Sequence, residues 1–124
     1  MLALDDNPAI LRLLRRALSA AGFAVTVVST GEAAHQALQV GKFDLVVTDL
    51  HIDGPESGLA LARAASQCTP AVPVVVITGS HSMSTGELTD WSHVSEVLLK
   101  PFAPSKLVSV CQFAIEAQRS RSDG

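Results

Sequence analysis

Two cysteines among 124 residues, Cys68 and Cys111, are too few for a disulfide scaffold and fit no metal-binding spacing, so both are expected in or near the core. Basic residues do not outnumber acids. Nine Lys and Arg against 12 Asp and Glu give a formal charge of -3, without the excess that phosphate contacts to nucleic acid need, so direct nucleic-acid binding is not expected. Long apolar runs are missing too. The stretch 72–77, interrupted by Pro73, is far too short to span a bilayer, and "MLALDDN" is not a basic region followed by an apolar signal segment. The chain therefore reads as soluble and cytoplasmic. Neither an internal repeat nor a linker is visible, and the length suits one domain, expected at 1–118 with a frayed or disordered tail at 119–124.

What is present is a 48% hydrophobic composition arranged as short β-rich runs alternating with longer segments of helical period. That alternation is the signature of βαβ units building a parallel sheet. The runs lie at 2–4, 24–29, 45–48, 72–78 and 97–99. Several are continuous Val, Ile and Leu, as expected of strands buried on both faces. Between them, Asn7-Pro8 supplies a cap and a first-turn proline, Ile10, Leu14, Ala17 and Leu18 share one face, and Gly22 stops the helix. Thr30 can cap a second helix ending near Gly41. A third is expected from about Gly58 to Cys68, and a last one from near Pro104, with Leu107, Cys111, Ala114 and Ile115 on one face. The segment 80–96, rich in Ser, Thr and Gly, predicts at best a short, late-starting helix.

In a doubly wound sheet, ligands bind outside the carboxyl ends of the strands. Here the first strand runs into Asp5-Asp6, the third into Asp49, the fourth into Thr78 and the fifth into Lys100-Pro101. Parallel strands would bring three carboxylates, a hydroxyl and an ammonium to one rim. Three crowded carboxylates repel one another unless a cation joins them, and Mg²⁺ suits such oxygen ligands. A carboxylate in that setting can attack phosphorus and form an aspartyl phosphate. Lys100 and Thr78 would then contact the phosphoryl oxygens. A single strand-end Asp is ordinarily a turn or cap residue. The ordered conjunction carries the functional reading.

The set Asp5-Asp6-Asn7, "VVTDL" with Asp49, "VVVITGS" with Thr78 and "VLLKPF" with Lys100, Pro101 and Phe102 resembles the receiver domains of two-component response regulators, over essentially the whole chain. The resemblance implies a three-layer flavodoxin-like (βα)5 fold with strand order 2-1-3-4-5. It implies that Asp49 is the phosphoacceptor, receiving a phosphoryl group from a phosphohistidine of a sensor kinase or phosphotransfer protein. It also implies Mg²⁺ held by Asp6 and Asp49, by Asp5 mainly through water, and by the main-chain carbonyl of His51. Thr78 would move toward the phosphoryl group, Lys100 would hold it, and Lys100-Pro101 would be cis.

Departures from the family pattern are specific. The loop after the acceptor has Ile52-Asp53 in place of a Met-Pro pair and is one residue longer, with Asp53 read as a loop carboxylate. His51 sits two residues past the acceptor, where the family tunes dephosphorylation. Val97 replaces an aromatic three residues before the lysine, so output needs another transmission. Trp91 is expected to be partly buried or to mark a partner surface. The first strand is short and no output domain follows, so the sequence reads as a stand-alone receiver or the receiver of a hybrid sensor kinase. Three other readings stay in view: a non-switching pseudo-receiver acting as a binding or dimerisation module, an aspartate-nucleophile phosphatase, and a flavin-binding protein.

Overall fold

The computed structural model describes residues 1–50, 57–68, 71–79 and 93–123. Five strands, β1 (Leu2–Leu4), β2 (Thr26–Val28), β3 (Val46–Asp49), β4 (Val74–Gly79) and β5 (Glu96–Lys100), form one parallel sheet in the order β2-β1-β3-β4-β5. This is the expected flavodoxin-like order.

Successive strand residues serve two different helical layers, which explains the continuous apolar runs. Leu2, Leu4, Val46, Val74 and Val76 pack with Ala34 and Leu38 of α2 (Gly31–Val40) and with Leu61, Ala62 and Ala65 of α3 (Ser57–Ser66). Ala3, Val47, Val75 and Ile77 pack on the other face with Leu14 and Leu18 of α1 (Pro8–Ala20) and with Leu107 and Cys111 of α4 (Pro104–Asp123). Each fully buried leucine contributes about 1.5–3 kcal/mol over an exposed one. The two edge strands are less covered: β2 has no fully buried residue and β5 has one, Leu98.

Helix ends follow the local chemistry. Asn7 caps α1 with Pro8 at the first position, and Thr30 Oγ1 accepts from Ala33 N at 3.1 Å to cap α2. At the far end of α1, Gly22 N–H donates to Ser19 O and Phe23 N–H to Leu18 O, a Schellman closure that puts Gly22 at φ 98°. Residues 119–123, expected to fray, are helical, since no Gly or Pro interrupts that stretch before Gly124. Cys111 is buried and Cys68 packs against the core. Burial pushes the Cys111 thiol up to about 12, the chemistry of an inert core residue. The loop 51–56, Trp91 and nearly all of the expected helix at 80–96 lie outside the described residues.

Candidate functional site

The register of the sheet decides what meets at its carboxyl edge. Asp49 pairs with Ile77, Thr78 follows on β4, and Gly79 pairs with Lys100. Asp5 is the first residue beyond β1 and is fully buried. Asp5, Asp6 and Asp49 each offer a carboxylate oxygen, and these oxygens lie within 4.8 Å of one another. Lys100 Nζ donates to Asp49 Oδ2 at 3.3 Å and sits 3.9 Å from Asp5 Oδ2. The amine thus reaches two of the three acids.

Each member sits in a different environment. Asp6 is exposed and Asp49 half-buried. Asp5 Oδ1 accepts from Asn7 N at 2.9 Å, whereas Asp5 Oδ2 is buried and, among the described residues, accepts no hydrogen bond. Burial raises the Asp5 carboxyl above its ordinary range. The Asn7 N–H opposes that, Asp49 and then Asp6 add to it, and Lys100 offsets part of it. A buried carboxylate oxygen without a donor, facing two other acids, is the donor set of a hard divalent cation. The residues fit Mg²⁺.

Thr78 is buried at the end of β4 and its Oγ1 donates to Gly79 O at 3.3 Å. Its hydroxyl is directed at the carbonyl of the next residue. The Lys100-Pro101 bond is cis, as the resemblance implied, and Phe102 packs into the core on the α1 and α4 face. Two contacts of this region escaped the sequence reading. Thr48, buried, donates through Oγ1 to Asp49 O at 2.9 Å, and a hydroxyl inside an apolar run was the available signal. Asn7 enters the sequence reading as a helix cap and as part of the Asp5-Asp6-Asn7 set; its N–H on Asp5 Oδ1 is an Asx turn, for which an Asp two residues before it was the available signal. His51 and Asp53 lie outside the described residues.

The family model for the response regulator receiver domain matches residues 1–112. The chain belongs to that family. The receiver domain is 36% identical over 110 residues to the response regulator receiver protein CpdR of Brucella abortus, covering 88% of this chain and 89% of CpdR. It is 28% identical over 123 residues to the transcriptional regulatory protein GlrR of Escherichia coli K12, covering 99% of this chain but only 28% of GlrR. Among solved structures, the response regulator receiver protein from Sinorhizobium medicae superposes with a TM-score of 0.79 at 32% identity, covering 94% of each chain. Family membership replaces the phosphatase and flavin-binding readings. Among the described residues, no helix is long and apolar enough to cross a membrane.

Proposed function

We propose that Asp49 accepts a phosphoryl group from a phosphohistidine of a sensor kinase or histidine phosphotransfer protein, in a Mg²⁺-dependent step in the cytoplasm, and that residues 1–118 form the switching unit. The observation that carries this reading is the Asp49 carboxylate at the tip of β3, within 4.8 Å of two further acids and 3.3 Å from the Lys100 ammonium.

An oxygen of Asp49 forms the new O–P bond as the N–P bond of the donor histidine breaks. The bonding pair stays on the imidazole nitrogen, which takes up a proton. Lys100, already on the acceptor carboxylate, neutralises charge on the incoming phosphoryl oxygens. Thr78 turns its hydroxyl from Gly79 O to the phosphoryl group, and that movement alters partner binding beside β4 and β5. Asp6 and Asp49 would hold Mg²⁺ directly, Asp5 mainly through water, with the main-chain carbonyl of His51 as the remaining protein ligand. Bound there, the ion supplies positive charge against which carboxylates and phosphoryl oxygens can approach one another. An output domain, fused or separate, would read the change, as the relation to the transcriptional regulator GlrR suggests.

Incubation with a small phosphodonor and Mg²⁺ should raise the intact mass by one phosphoryl group, and Asp49→Asn should abolish the gain. An unmodified mass in the unsubstituted protein removes the proposal. A second reading, a non-switching binding or dimerisation module, is favoured by Val97, a half-buried valine paired with Val76 where the family often has an aromatic. That reading predicts no Mg²⁺ binding and no phosphorylation.

A further inference from the structure

We propose that Asn7 is a positioning residue for the acid pocket, fixing which oxygen of Asp5 is presented to a divalent cation. The inference rests on the Mg²⁺ reading of the site given above.

Asn7 works through two different groups. Its side-chain Oδ1 accepts from Ala9 N at 2.9 Å and from Ile10 N at 3.4 Å, closing the first turn of α1. Its main-chain N–H donates at 2.9 Å to Asp5 Oδ1. The first set of bonds holds the backbone that the second one uses. Pro8 tightens this further, because a residue before proline is confined to extended conformations. Asn7 sits there at φ -91°, ψ 115°, which is also the conformation a cap requires.

The consequence falls on Asp5. A free carboxylate has two equivalent oxygens that exchange by rotation about one bond. Here Oδ1 is committed to the backbone of Asn7, and Oδ2 is left buried, with no hydrogen bond among the described residues, 3.9 Å from Lys100 Nζ and within the acid cluster. Asp6 lies between the two anchored residues, so its main chain is tethered on both sides. Releasing the Asn7 side chain from α1 frees the amide that orients Asp5, without removing a single ligand. Residues that hold metal ligands from behind typically change affinity by roughly 10–100-fold when lost.

The test compares Mg²⁺ affinity, measured by calorimetric titration with the metal alone, in four proteins. Asn7→Ala should weaken binding roughly tenfold, the lower end of that range. Asn7→Ser, whose hydroxyl can cap the same turn, should return affinity to within about twofold of the unsubstituted protein. Ser19→Gly destabilises α1 at its exposed far end and should lower thermal stability while leaving Mg²⁺ affinity unchanged. A helix that merely needs to be stable would lose affinity equally in Asn7→Ala and Ser19→Gly, and that result overturns the proposal. So does an Asn7→Ala protein that binds Mg²⁺ as tightly as the unsubstituted one. An unsubstituted protein that binds no Mg²⁺ overturns the metal reading as well, so the two failures are distinguishable.

Discussion

Asp5 is a fully buried acid with one oxygen served by a backbone N–H and the other, among the described residues, by no donor. Its raised pKa carries a definite sign for stability. The neutral form suits the folded environment, so the contribution of Asp5 is fully favourable below the unfolded value of about 3.8 and is lost as pH rises through the elevated folded value. Without divalent ions at neutral pH, Asp5→Asn should therefore stabilise the protein by roughly 1 kcal/mol, the scale of one unpaired buried polar atom. The gain should shrink as pH falls, and saturating Mg²⁺ should shrink or reverse it. Denaturant melts with and without chelator check all three signs, and a destabilised, metal-free Asp5→Asn protein would contradict them. The gathering of Asp5, Asp6, Asp49 and Lys100 was legible in the sequence, because each lies at or just beyond the carboxyl end of a strand. The orientation of a carboxylate was not, since it depends on a hydrogen bond whose geometry only the folded turn fixes.

Secondary-structure elements were legible where punctuation and periodicity agreed. Helix α1 has both, with Asn7-Pro8 at one end and Gly22 beyond the other, and its observed limits follow them. Strand β2 is shorter than the apolar run 24–29 suggested, because it lies at the sheet edge with one neighbour, β1, and only three residues pair. The closure after α1 gives a clean backbone test. A Cβ at Gly22 would meet nothing within 4 Å, so Gly22→Ala is strained by its positive φ alone. A loss of about 1 kcal/mol is expected in chemical denaturation. An unchanged midpoint would mean that the turn relaxes. Mg²⁺ affinity should not move, because this end of α1 is remote from Asn7.

Charge on the whole molecule is uneven despite the modest net value. Three of the nine basic residues, Arg12, Arg15 and Arg16, are exposed on α1, which carries no acid of its own. Among the described residues, none of the three has an ion-pair partner. These arginines lie on one exposed face of α1 together with Ser19, and on the proposed function that face would attract a donor protein carrying negative charge. Arg12→Glu combined with Arg16→Glu should slow phosphoryl transfer from such a donor by roughly tenfold at low salt through weaker steering. Phosphorylation by a small phosphodonor should be nearly unchanged. Equal rates from the protein donor would show that it docks elsewhere.

The pocket draws on the ends of β1, β3, β4 and β5, segments that lie from Asp5 to Lys100 along the chain and meet only when the sheet is complete. A fragment ending before Glu96 would keep every carboxylate yet lack the amine that counters them. If Asp49 is the acceptor proposed above, its reactivity is a report on long-range assembly, and a nascent or clipped chain would stay unreactive until the last strand had joined.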